Sequence, residues 1–268
     1  MSQKDQQLNR YQAIIADVFK NHYVEGSGSV EFSRDEFVAI ADKLNIELPK
    51  NIGDVVYSFR YRNELPKTIC KTAKKGFEWI IIGKGKGLYE FKQVTVGRII
   101  PRQELLAIKI PDATPEIITA YAQSDEQALL AKVRYNRLVD IFLGLAAYSL
   151  QNHLRTTVKN LGQIEIDEIY VGVDKFGRQF VVPVQAKGGA DKHGIVQTQQ
   201  DIACCGEKYP TLICRPISAQ FMAEDKIAMF ELIASGDEIK IVDEKHYLLV
   251  PSDKISASDL KTYSSRNS

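Results

Sequence analysis

The 268-residue sequence lacks three things: paired cysteines, a long apolar run and an excess of charge of one sign. Its four cysteines, Cys70, Cys204, Cys205 and Cys214, show no C-x-x-C spacing, which argues against a zinc site and a disulfide framework. Reduced thiols and a cytoplasmic setting are expected. The most apolar segment, Ile141 to Leu150, falls short of the roughly 20 residues that cross a bilayer. The polar start, Met1 to Gln7, has no apolar stretch behind it, so no secretory leader is predicted. A net charge of +1 excludes a histone-like polycation, and any nucleic-acid site must be a local patch. What is present, 44% hydrophobic and 26% charged residues, suits a soluble globular chain of one large or two ordinary domains.

The amino-terminal third carries the first pattern. Tyr11, Ile14, Ile15, Val18 and Phe19 form a helix stripe at i, i+3, i+4, i+7 and i+8. A strand-like stretch, Ser29 to Phe32, leads into Ser33-Arg34-Asp35-Glu36, a capping box. The helix behind it has Phe37, Ile40, Ala41 and Leu44 on one face. Pro49 and Asn51 open a third helix, with Ile52, Val55, Val56 and Phe59 buried and Tyr57, Ser58, Arg60, Tyr61 and Arg62 elsewhere, ended by Pro66. Two strands, Phe77 to Ile82 and Leu88 to Phe91, flank Gly83-Lys84-Gly85-Lys86-Gly87, a tight turn with two lysines. Helix, strand, two helices and a basic hairpin is the order of a winged helix-turn-helix. The third helix is then expected in the major groove and Lys84 and Lys86 at phosphates.

Charge supports that order. Residues 57–92 hold nine basic residues against three acids, an excess of six in a nearly neutral chain. A phosphate-binding loop at Gly83 to Gly87 is disfavoured, because the spacing is wrong and a strand follows. Protein interaction is the other use of such a module, and the charge favours DNA.

Residues 94–124 contain Pro101, Pro111 and Pro115 without sustained periodicity, which sets the domain boundary there. Ser124 to Gln127 is a second capping box. The helix after it, carrying Leu130, Val133, Ile141, Phe142 and Leu145, is read as bending near Gly144 and running to about Leu154. His153, like His193 and His246, lacks partner spacing, so structural or solvent roles are expected.

The chemistry is expected between Ile164 and Gln200. Gln163 to Val171 reads as a strand whose alternation puts Glu165 and Asp167 on one face and Glu168 on the other. Asp174 to Gly177 is a turn, and Phe180 to Lys187 a second strand with Gln185 and Lys187 sharing a face. Pro183 has no N–H, so its position in the ladder stays unpaired. Gly188-Gly189 breaks the strand, and a helix can start at Asp191. Acids on an apolar strand are costly unless paired or bound to a cation. Converging oxygens and a lysine suit a Mg2+-dependent phosphodiester hydrolase. The plainer alternative is cross-strand pairing of Glu165, Asp167 and Glu168 with Lys175 or Arg178.

Asp167, followed by a strand ending Gln185-Ala186-Lys187, resembles the motif of the PD-(D/E)XK nuclease superfamily, the fold of many restriction endonucleases. The resemblance spans about residues 125–245, with the strand Thr211 to Cys214 after the helix, and implies an αβββαβ core with a mixed sheet. It implies Mg2+ on Asp167 and Gln185 and a water contact for Lys187. Gln197 and Gln200 match a polar position on the following helix, with Lys192 as a phosphate contact. Gln185 departs from the usual acid, though some branches of the family are similar in using Gln. Glu165 is preferred over Glu168 as the compensating carboxylate, since it shares a face with Asp167. The family's first strand has room only at Thr156 to Lys159.

Ala223 to Ala234 reads as helix, Glu238 to Val242 and His246 to Val250 as a hairpin, and Ser252 to Ser268 as a frayed polar tail. The expected organisation is α+β: a winged helix over 1–95, a connector over 96–124, a nuclease-like domain over 125–252 and a tail over 253–268. The expected function is that of a Mg2+-dependent, sequence-specific endonuclease of double-stranded DNA, similar to type II restriction enzymes. That resemblance also implies a homodimer and a companion DNA methyltransferase. A non-catalytic DNA-binding regulator and a structure-specific repair or phage-defence nuclease are the alternatives.

Overall fold

The computed structural model describes residues 3–95, 97–121, 125–159, 161–188, 191, 193–222, 226–236 and 238–265. The chain is mixed α+β. Its first module comprises α1 (Gln3–His22), β1 (Ser29–Ser33), α2 (Glu36–Leu44), α3 (Gly53–Tyr57), a π-helical turn (Ser58–Arg62), α4 (Lys67–Cys70), β2 (Glu78–Gly85) and β3 (Leu88–Val94). The strands form one antiparallel sheet in the order β1-β3-β2. Its core is aromatic: the Phe19 ring meets Trp79 and Phe91 edge-on, each at 5.1 Å between centroids. Such pairs add to the area their rings bury. The first capping box forms by half. Glu36 reaches back to the Ser33 N–H at 2.7 Å, whereas the Ser33 hydroxyl accepts from Asp35 instead of Glu36. Gly85 and Gly87 have φ of +135° and +75°, which the tip between β2 and β3 needs.

The third helix does not run to Pro66. It passes into the π turn, where Asn63 N–H donates to Ser58 O at 2.8 Å, and Pro66 precedes α4. Widened turns of this kind recur at functional sites.

The connector is structured. Its β4 (Arg98–Ile99) pairs with β9 (His193–Gly194), and β5 (Ala107–Pro111) joins the large sheet, followed by α5 (Glu116–Tyr121). Arg102 bonds the buried Glu244 through both its backbone N–H (2.9 Å) and Nε (2.7 Å), and Glu244 also meets His246 at 2.9 Å. These contacts bind the expected linker to the second module.

That module contains α6 (Asp125–Tyr135), α7 (Leu138–Leu143), β6 (Ala146–Val158), β7 (Gly162–Val173), β8 (Gln179–Lys187), α8 (Ile195–Lys208), β10 (Ile213–Cys214), β11 (Ile217–Phe221), β12 (Lys226–Ser235) and β13 (Glu238–Val250). The mixed eight-stranded sheet runs β5-β13-β12-β11-β8-β7-β6, with β10 beside β8. Strand β8 lies parallel to β10 and β11 and antiparallel to β7. Residues 180–186 are all buried, because α6 and α7 cover one face and α8 the other. Pro183 is tolerated at this centre. Its pairing with β10 ends at Val181 and resumes with β11 at Val184, so no ladder bond is required opposite it on that side.

Four expectations are corrected. The helix expected after residue 125 is two, α6 and α7, the second ending at Gly144 in the left-handed region at φ +66°, and Ala146–Val158 is a strand, so β6, β7 and β8 of the large sheet precede α8. Of the stretch read as helix from Ala223, residues 226–235 form β12; residues 223–225 lie outside the described residues. The expected hairpin at 238–250 is one strand, because Glu244 is held by Arg102 and His246 rather than turning to solvent. The tail forms a 3-10 turn (Ser252–Lys254) and α9 (Ala257–Ser264), with Ser256 and Asp259 in a reciprocal capping box and Asp259 3.0 Å from Lys109. Among the described residues, no helix is long and apolar enough to cross a membrane.

Candidate active site

A cavity of about 620 Å3 opens where the π turn of the first module faces β6, β7, β8 and α8 of the second. Asp167, Glu165, Gln185 and Lys187 line it with Gln197, Gln200, Tyr57, Arg60 and Tyr61. Strand β7 supplies Asp167 and Glu165; strand β8 supplies Gln185 and Lys187.

Asp167 is mostly buried. Its Oδ2 accepts the Ala186 N–H at 2.7 Å, which pins β7 to β8 at this point. Burial raises its carboxyl above the usual range, against the Lys187 ammonium and the Ala186 N–H, which favour the charged form. Gln185 is 1% exposed. Its amide nitrogen donates to Glu165 O and to Asp201 Oδ1, both at 3.1 Å. Both amide hydrogens are thereby used, and the carbonyl oxygen is the ligand atom that remains. Glu165 lies at the rim, 3.2 Å from the Arg155 guanidinium and 3.9 Å from His153 Nδ1. Glu168 is on the other side. Fully buried, it accepts from Arg134 at 2.9 Å and from Ser149. Arg178 bonds Asp174 at 2.7 Å, so the cross-strand pairing considered above is not the arrangement.

Two buried groups beneath the cavity carry no motif in the sequence. Asp201 on α8 is held well above the usual carboxylate range by burial, with the charge of Asp167 in the same direction. His193 is lowered to about 3 by burial, with the Lys187 charge adding to the effect. Its Nε2 meets Thr198 Oγ1 at 3.1 Å.

Asp167, Glu165 and the Gln185 oxygen form a hard-oxygen set. Among the described residues no three His, Cys, Asp or Glu side chains gather as a metal cage. Two carboxylates and an amide are the sparse set that Mg2+ accepts while keeping waters and a substrate phosphate. Burial is what raises the Asp167 carboxyl, and a bound cation would favour its charged form as Lys187 does. The residues present fit the ion.

The expected DNA-contact residues divide. Arg62 is exposed and stacks its guanidinium 5.0 Å over Tyr57. Arg60 and Tyr61 face the second module, and the Tyr61 hydroxyl donates to Gln200 Oε1 at 3.1 Å. The third helix therefore does not project freely as a major-groove reader. Ser58 is buried, with its hydroxyl accepting from Asn63 at 2.7 Å, and cannot reach DNA. Lys84 lies 3.4 Å from Glu90 and 3.9 Å from Glu31, leaving Lys86 the more available charge at the wing. Lys192 and Ser124 lie outside the described residues.

No family model, curated protein or solved structure matches the chain.

Proposed function

We propose that the chain is a Mg2+-dependent, sequence-specific endonuclease of double-stranded DNA, with a winged-helix first module and a PD-(D/E)XK-like second one. The order α6-α7-β6-β7-β8-α8-β11 supports the αβββαβ reading, and the helices over β1-β3-β2 support the winged helix. The observation that carries the proposal is the shared cavity: Asp167, Glu165, Gln185 and Lys187 open onto it beside Tyr57 and Arg60 of the basic module. A regulator has no need of a carboxylate and an ammonium lining one cavity there.

Asp167, Glu165 and the Gln185 oxygen would hold Mg2+, which when bound supplies charge for the phosphate and acidifies water. Lys187 orients the attacking water and offsets charge on the phosphate oxygens. Water adds to phosphorus in line and the bond to the 3′-oxygen breaks, leaving a 5′-phosphate and a 3′-hydroxyl. One site cuts one strand, so a homodimer serves the duplex and a two-fold symmetric target follows. Cytoplasmic DNA is the setting, beside a companion methyltransferase that protects the host sequence. Incubation with phage DNA tests the reading. Discrete fragments that require Mg2+ and vanish with EDTA are expected; retarded but intact DNA refutes it.

Two variants refine it. Glu165→Gln, which keeps shape and loses charge, raises the Mg2+ concentration for half-maximal cleavage about tenfold, within the range for weakened ligand sets. An unchanged Mg2+ titration removes Glu165 from the site. Lys84→Ala with Lys86→Ala weakens DNA binding and lowers the salt slope by about one unit per lost phosphate contact. Because Lys84 already faces Glu90 and Glu31, Lys86→Ala alone gives most of the change; an unchanged slope rules the wing out.

A further inference from the structure

Three buried polar atoms around the cavity have no partner among the described residues: Gln197 Oε1, Gln200 Nε2 and Arg60 Nε. Gln200 itself is 5% exposed, and its other amide atom, Oε1, accepts from the Tyr61 hydroxyl at 3.1 Å. Leaving a buried donor or acceptor unpaired is costly, so an acceptor and two donors around one cavity point to a ligand. Above them sit two tyrosine rings, Tyr57 and Tyr61, 4.8 Å apart and inclined at 55°, with the Arg60 guanidinium 5.0 Å over Tyr61.

We propose that this cavity receives a single unstacked nucleobase next to the phosphate being cut, so that the preferred DNA carries an unpaired or extruded nucleotide. The inference rests on the nuclease reading and names its substrate class. Phosphate alone offers only acceptors and leaves Gln197 Oε1 unpaired. A nucleobase presents both a donor and an acceptor on its pairing edge, and its face stacks on tyrosine and arginine. The volume lies within the range of about 300–1,000 Å3 for small-ligand sites. A paired base inside a duplex cannot enter without first being unpaired and unstacked, which costs free energy. DNA with an unpaired base avoids that cost.

The test is binding by the full chain in EDTA to two duplexes of one sequence, one fully paired and one with a single bulged nucleotide carrying 2-aminopurine. The bulged duplex is expected to bind at least tenfold tighter, and its 2-aminopurine fluorescence to be quenched by stacking. Tyr57→Ala, at an exposed position, brings the affinity ratio to about one, and Gln200→Ala does the same. Equal affinities in the parent protein, or a preference that survives Tyr57→Ala, overturn the inference. Cleavage is scored separately in Mg2+. A protein that prefers the bulge and never cuts refutes the nuclease reading alone; one that cuts paired DNA without preference refutes this inference alone.

Discussion

Asp167→Ala and Lys187→Ala each lower DNA cleavage by about a thousandfold or more while DNA retardation in a gel stays within about threefold of the parent. The size follows from the chemistry. Each tenfold in rate is 1.36 kcal/mol, and charge stabilisation of a phosphoryl transition state is worth several kcal/mol. Binding is expected to be spared because the basic residues proposed to meet phosphates are spread over the first module, whereas Asp167 and Lys187 lie within the cavity. Asp167 also ties β7 to β8 through the Ala186 N–H, so Asp167→Asn serves as the companion variant. Its amide oxygen still accepts that bond while the negative charge is gone. Loss of cleavage in Asp167→Asn with an unchanged unfolding midpoint isolates the chemistry. Either alanine variant cutting at the parent's rate overturns the assignment.

That cluster was legible because its elements are local. Alternation on β7 and β8 needs only a period of two, and the clear turn at Asp174 to Gly177 separates the two strands. Asp201 and His193 were not legible. Neither stands in a motif, and their importance comes from burial that only the packing of α8 on the sheet creates. The first strand of the module was mistaken for helix for a related reason. Gly144 reads equally as a bend or as a cap, and β6, at the sheet edge with residues 148–153 exposed, has no clean alternation to correct the choice. In β12 the run Ile227 to Phe230 is apolar on both faces, which periodicity cannot divide between buried helix and buried strand. Arg60 and Tyr61 were expected outward because a regular helix would carry them there. The π turn is a tertiary feature without a sequence period, and it presents both to the second module.

Acid weakens the fold between about pH 6.5 and 3, and His193 is the reason. In the unfolded chain a histidine titrates near 6.5, while burial holds His193 at about 3. Within that window the unfolded state binds the additional proton, so stability is present above pH 6.5 and falls as pH falls. The shift corresponds to a loss of about 2 kcal/mol at pH 5 and about 3 kcal/mol at pH 4. The buried imidazole cannot relieve it. Its Nε2 faces the Thr198 hydroxyl, and among the described residues the Lys187 ammonium acts on it and opposes protonation. Strand β9, which carries His193, pairs with β4 of the connector, so protonation there loosens that pairing. Urea unfolding at pH 7 and pH 5 measures the effect, with the difference taken within each protein. His193→Gln, which keeps a hydrogen-bonding group for Thr198 and cannot titrate, loses about 2 kcal/mol less than the parent over that interval. Equal losses in parent and variant assign the acid sensitivity to other groups and remove His193 from the account.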